Sequence, residues 1–196
     1  MLVLFDYGEV LSLPQQEEDV VAMARAAGMR PDPFSRRYWR DRQAYDAGEL
    51  SDAEYWDGIT ERHLEPAEVA ELTKLDVASW LRLNGDVVVV LLDLIDRQVP
   101  TALLSNAPET IAAAVDGLPA LASMEARFFS ARLHAVKPDP AVFLTVLAEL
   151  GREAGDVVFV DDRPTNVKGA RAVGLRAIQF RDATRLRRDL DEYLGE

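Results

Sequence analysis

The sequence predicts a doubly wound α/β fold: a Rossmann-like parallel sheet, helices on both of its faces, and a helical cap inserted into the chain. Three observations predict it. Short apolar runs end abruptly in polar residues, as the strands of a sheet buried on both faces do. Helical stretches alternate with the later runs. The first two runs are separated by about seventy residues with no convincing strand, more than an ordinary crossover needs.

Taken in order, "LVLF" before Asp6 is the first strand, and the segment from about Leu13 to Leu83 is helical. Within it "EEDVVAMARAAG" is amphipathic, with Gly28 as its C-cap. A second helix is expected from Pro33 to Ala47, stopped by Gly48. "SDAE" is a capping box, with Ser51 as N-cap and Glu54 three residues on, opening a third helix. A fourth covers Glu65 to Arg82. The valine-rich "DVVVVLLDLIDRQ" has the composition of a buried strand, yet reads better as the helix feeding the next strand. That strand is "TALL" before Ser105, followed by a helix over Pro108–Asp116 and the weaker strand "ARFFSA". A helix from Pro138 to Leu150, the strand "VVFV" before Asp161, a helix from Thr165 to Val173 and the strand "LRAIQF" complete the alternation. The expected division is a core of residues 1–13 and 84–196 and an inserted cap of residues 14–83.

Composition narrows the function. A formal charge of −12 repels nucleic acid and anionic membrane surfaces, so neither is an expected partner. No cysteine is present, which excludes disulfides, thiolate metal sites and cysteine nucleophiles. Asp6 interrupts the first apolar run, no basic segment precedes it, and the longest apolar run, Val87–Leu92, is too short to span a bilayer. A soluble cytoplasmic protein is the expectation, with oligomeric state left open. Of the basic residues 19 are arginine and three are lysine, so each lysine is more informative than usual.

In open parallel sheets, ligands bind beyond the carboxyl ends of the strands. Asp6, Ser105, Asn106, Asp161 and Asp162 all fall there. Singly, each has a structural alternative: Ser105 or Asn106 could cap the helix near Pro108, and Asp162 could cap the one that Pro164 opens. Together they make a cluster that repels itself, by roughly 4 kcal/mol for two carboxylates about 4 Å apart at an effective dielectric near 20. A cation resolves that repulsion. All-oxygen ligation favours a hard ion, magnesium above all. The two histidines, His63 and His134, lie outside every strand end. Lys137 stands before a proline on the same edge, extended by that proline, where it could neutralise a phosphate oxygen.

The ordered set Asp6, Ser105-Asn106, Lys137-Pro138, Asp161-Asp162 resembles the four signature motifs of the haloacid dehalogenase superfamily, and the insertion resembles the helical cap of its first structural subclass. The resemblance implies a magnesium-dependent phosphatase acting on a small phosphorylated metabolite. Asp6 would be the nucleophile, giving an aspartyl-phosphate. Asp6, the Gly8 carbonyl and Asp162 would hold magnesium, with Asp161 binding directly or through water. Ser105 and Asn106 would bind the phosphoryl group, Lys137 would orient Asp6 and balance charge, and Asn166 would steady the acidic loop. In "YDAGELSDAEYW" the cap's helix-loop-helix would face the site.

One position departs from the family pattern. Typical phosphatases of this superfamily carry an acid/base aspartate two residues after the nucleophile, and here that position is Gly8, similar to family members with a D-x-G first motif that are still regarded as phosphatases. General acid–base help is typically worth about 10² to 10⁴ in rate, so its loss need not abolish catalysis. Glu9, on an extended chain, would point away from Asp6, and Tyr7 by the same alternation would be core. A cap residue, or a leaving group needing no proton, is the better substitute. For specificity, "RRYWRDRQAYD" offers Arg36, Arg37, Arg40 and Arg42 with Trp39 and Tyr45; Arg42 and Tyr45, nearest Gly48, are the cap candidates for substrate contact. Two other activities remain open: a weakly catalytic or regulatory binding protein, to which Gly8 points, and a 2-haloacid dehalogenase, whose metal-free chemistry fits the Asp161-Asp162 pair poorly.

Overall fold

The computed structural model describes residues 1–195. Its sheet has five parallel strands, β1 (Leu2–Phe5), β2 (Thr101–Ser105), β3 (Ala126–Phe129), β4 (Val157–Asp161) and β5 (Arg176–Gln179), in the order β3-β2-β1-β4-β5. The chain winds to one side of β1 and then to the other, so the switch in strand order lies between β1 and β4. That is where a doubly wound sheet opens a crevice.

Side chains alternate across each strand, and each face has its own core. Val3, Phe5, Leu103, Val158 and Val160 pack on one face against α6 (Gly85–Asp96), α7 (Glu109–Asp116) and α11 (Ala183–Leu194). Leu2, Leu4, Leu104, Val157 and Phe159 pack on the other against α9 (Pro140–Leu150) and α10 (Pro164–Ala172). The valine-rich run is a helix, as its spacing predicts: Val87, Val90, Leu91 and Leu94 form its buried stripe.

The short α8 (Ser130–Leu133) follows β3, and between β1 and α6 lie five further α-helices: α1 (Glu17–Ala26), α2 (Pro31–Arg40), α3 (Arg42–Asp46), α4 (Asp52–Thr60) and α5 (Pro66–Trp80). They enclose a third core of Met23, Phe34, Tyr38, Tyr55, Trp56 and neighbours. The capping box at the start of α4 forms as expected, Ser51 Oγ accepting from the Glu54 backbone and Glu54 from that of Ser51. The two connections to the sheet run side by side: Leu13 N donates to Arg82 O, Asn84 N donates to Leu11 O, and Ser12 pairs with Leu83.

Several helix boundaries differ from expectation, each for a local reason. The helix expected over residues 33–47 starts at Pro31 and breaks at Asp41, whose carboxylate accepts from Arg40 Nε and Nη2. Burial of Arg42 and Tyr45 on the separate α3 overrides a continuous helical pattern. Pro140, not Pro138, opens α9, because Asp139 caps it by accepting from Ala141 N. At α10 the N-cap position is Arg163, and the first position of α7 follows Pro108. No capping role therefore accounts for Asp162, Ser105 or Asn106. No helix among the described residues is long and apolar enough to cross a membrane.

Candidate active site

Backbone pairing puts the chemistry together. Phe5 pairs with Val160, and Asp6 N donates to Val160 O at 2.8 Å, so Asp6 leaves β1 level with the end of β4. Asp6, Asp161 and Asp162 each present an oxygen within 4.8 Å of the others. Lys137 arrives from the loop before α9 and is 4% exposed. Its Nζ lies 2.6 Å from Asp6 Oδ1 and donates to Asp161 Oδ2 and to Leu104 O, both at 2.9 Å. Burial pulls the Lys137 pKa down, but the two facing carboxylates more than reverse this, and the ammonium is held above its usual range.

The three carboxylates are not equivalent. Asp161 is fully buried and saturated: Oδ1 accepts from Arg163 N and Asn166 Nδ2, and Oδ2 accepts from Lys137 and Asn166 Nδ2. Four acceptor sites are all an ionised carboxylate has. Asp6 is shared between Lys137 and its neighbour's backbone, Tyr7 N. Burial pushes its pKa well above the ordinary value against the pull of Lys137, and Asp161 adds to the rise. The Asp162 carboxylate has no hydrogen-bond or ion-pair partner among the described residues, although its backbone oxygen accepts from Gln179 Nε2, and burial, then Asp161 and Glu9, push its pKa up as well. An all-oxygen cluster with one unpartnered carboxylate and too little positive charge fits a hard divalent cation.

Ser105 is buried at the end of β2 and borders the same cavity, which encloses about 60 Å³. Asn106 does something else. Its Nδ2 donates to Lys137 O at 3.0 Å and its Oδ1 accepts from Lys137 N at 2.9 Å, so the amide expected on phosphate instead clamps the lysine's backbone. Gly8 is on the cavity wall, and a Cβ there would meet only Trp80 Cζ3, at an ordinary 3.7 Å.

The strand-like alternation expected after Asp6 fails. The chain turns, with Glu9 at φ 58° and ψ 9°, and this returns Glu9 to the cavity rim instead of sending it to the opposite side. Tyr7 is core as expected, 2% exposed with its hydroxyl donating to Trp80 O, and it also borders the cavity.

The other wall comes from the helical insertion: Trp39, Arg42, Asp46 and Trp80. Arg42 is buried there but largely engaged, with Nε on Asp46 Oδ1 at 2.7 Å and Nη1 near Asp76 Oδ2 at 3.2 Å and Tyr38 OH. Desolvation works against its charge, but Asp46, Tyr38 and Asp76 hold the guanidinium firmly protonated. Tyr45 does not reach the cavity. It stacks on Tyr55 at 4.1 Å and its hydroxyl donates to Asp52, because the ring is worth more in the insertion's core than at the site. Arg37 and Arg40 pair with Glu61 and Asp41 away from the cavity, and His63 pairs with Asp57 at the surface. Sequence reasoning missed Asp46, Trp80 and Arg163. Only Asp46 left a signal, its spacing of four residues from Arg42.

Fold and site place the chain among the α/β enzymes that work from the carboxyl edge of a parallel sheet. More narrowly, residues 1–174 match the haloacid dehalogenase-like hydrolases, and the chain belongs to that family. Phosphatases are among its relatives. Phosphoglycolate phosphatase 1 of Pseudomonas aeruginosa is 29% identical in an alignment that covers 89% of this chain and 67% of that protein. Flavin mononucleotide hydrolase 1 of Arabidopsis thaliana is 46% identical over 56 residues, 29% of this chain and 23% of that protein. Matches to the first curated relatives thus span 23% of their length or less. Among solved structures, a family enzyme of Bacteroides thetaiotaomicron in complex with magnesium and inorganic phosphate superposes with a TM-score of 0.75 at 20% identity, covering 94% of this chain and 98% of that one. A family hydrolase of Porphyromonas gingivalis gives 0.77 at 17% identity, covering 100% and 98%.

Proposed function

We propose that this hydrolase is a magnesium-dependent phosphatase of a small phosphorylated metabolite, working through an aspartyl-phosphate on Asp6. The observation that carries the reading is the convergence of Asp6, Asp162 and Lys137 at the switch between β1 and β4. The similarity to a phosphoglycolate phosphatase supports a phosphate ester as substrate. A cavity of about 60 Å³ suits a phosphoryl group and leaves the rest of the substrate to the insertion wall.

In this reading Asp6 attacks phosphorus, and Lys137 keeps its carboxylate ionised and aimed. Asp6, Asp162 and the Gly8 carbonyl would hold the ion, which would supply charge neutralisation for the phosphoryl oxygens. Asp161, its acceptor sites filled, anchors Lys137 and the turn into α10, and it would add negative charge to help hold the ion. Ser105 binds a phosphoryl oxygen, while Asn106 fixes Lys137. Residues 14–83 act as a cap over a core of residues 1–13 and 84–196. The unpartnered Asp162 favours this reading over metal-free dehalogenation, which has no use for a third carboxylate.

A panel of phosphate monoesters assayed with magnesium and with chelator tests it. Hydrolysis should require magnesium and vanish in Asp6→Asn. A well-folded protein inert towards every ester in both conditions refutes the reading.

A further inference from the structure

We infer that Asp46, carried to the site by the helical insertion, is the general acid and base that Gly8 leaves out. The inference rests on the phosphatase reading and assigns a proton-transfer residue within it.

In-line displacement puts the leaving oxygen on the far side of phosphorus from the attacking group. Asp6 attacks from the carboxyl edge of the sheet, so the leaving oxygen faces the wall built by the insertion. That wall carries one carboxylate, Asp46, and its other lining residues from the insertion are Trp39, Trp80 and Arg42. The side chain is 14% exposed. Its Oδ1 accepts from Arg42 Nε, while Oδ2 has no hydrogen-bond partner among the described residues. Arg42 is itself fixed by Asp76 and Tyr38, so the bond to Oδ1 sets the rotation of the Asp46 carboxyl. The backbone is fixed as well, because Asp46 O accepts from Ser130 Oγ of the core at 2.5 Å. An oriented carboxyl with one unengaged oxygen is what proton delivery requires.

The surroundings also set a suitable affinity for the proton. Burial raises the Asp46 pKa to about 6, Arg42 opposes the rise, Asp76 adds to it and Arg163 opposes it. An acid of that strength can both give up and take back a proton near neutrality. Glu9 is the rival carboxylate, but it is exposed and lies on the Asp6 loop, where its charge bears on Asp162.

The steps balance. Asp6 Oδ bonds to phosphorus as the ester P–O bond breaks, and the Asp46 carboxyl gives its proton to the departing alkoxide. The resulting carboxylate then takes a proton from water as the water oxygen bonds to phosphorus and the Asp6–phosphorus bond breaks. Phosphate leaves, and both carboxyl groups return to their starting states.

The test compares an alkyl phosphate with 2,4-dinitrophenyl phosphate, whose leaving group needs no proton. For Asp46→Asn, which keeps an oxygen for Arg42, kcat/KM on the alkyl ester should fall by about 10² to 10⁴. On the dinitrophenyl ester it should fall less than about tenfold, with a stoichiometric burst of phenol and a persistent phosphoenzyme. Equal losses on both esters, or no loss on either, overturn the assignment to Asp46 while leaving the phosphatase reading standing. Wild-type protein that hydrolyses neither ester with magnesium takes down both. The wild type also gives a test that needs no folded variant. Its kcat/KM should vary only weakly with leaving-group pKa, and a steep dependence overturns the role of Asp46.

Discussion

Lys137 is the residue on which the geometry turns. It is the sole cation within reach of Asp6 and Asp161 among the described residues, and all three are buried. Lys137→Met keeps the chain length but strands two buried carboxylates. Removing one partner of a buried pair costs about 3 to 5 kcal/mol, so chemical denaturation in chelator should show a loss of that order, with hydrolysis abolished. Unchanged stability would mean that the pair is not buried as described. Gly8 gives the opposite kind of prediction. Since a Cβ there meets Trp80 at ordinary contact distance, Gly8→Asp should fold and, with Asp46 already supplying the proton, should raise kcat/KM on alkyl phosphates by less than about tenfold. The gain should be larger in an Asp46→Asn background.

At the level of elements, α10 positions the site by packing on the lysine loop. A Cβ on Gly169 would stand 2.6 Å from Pro138 O, so this helix can pack on the lysine loop only with glycine there. Gly169→Ala should cost about 1 to 3 kcal/mol and lower kcat by shifting Lys137. Ser51→Ala, at the N-cap of α4 far from the cavity, should cost about 1 kcal/mol with kcat intact. Comparing the two by thermal unfolding and steady-state kinetics separates positioning from mere stability.

The same elements show what the sequence could and could not convey. Strand ends were legible because apolar-to-polar transitions are local, and with them Asp6, Ser105 and the Asp161-Asp162 pair. Glu9 was misplaced because one left-handed residue undoes strand alternation. Tyr45 was misplaced, and Asp46 passed over, because an unforeseen break at Asp41 decided which side chains α3 turns inward. Asn106 sat where expected, but its partner, the backbone of Lys137, is 31 residues away in sequence.

Across the whole molecule, charge would link folding to the proposed metal binding. Asp6 and Asp162 have raised pKa values in the folded protein, so their contribution to stability is present below the unfolded carboxylate range and is lost as pH rises through the folded values. Asp116, lowered by Arg127 and Arg132, and Glu68, lowered to about 2 by Arg62, act in the opposite sense, losing their contribution as pH falls. Magnesium needs the ionised carboxylates and should cancel the first effect. Its addition should therefore raise Tm more at about pH 8 than at about pH 5, and the difference should disappear in Asp162→Asn. An equal rise at both pH values would argue against the Asp6–Asp162 site.

In the proposed reaction the ester's phosphoryl group passes through Asp6. Acid quench of the enzyme during turnover of a radiolabelled phosphate ester with magnesium, followed by peptide mapping, tests it most directly. Label should appear on the peptide containing Asp6 and be absent from Asp6→Asn and from chelator-treated protein. Ongoing hydrolysis with no label on that peptide, or with label on another residue, would contradict the account.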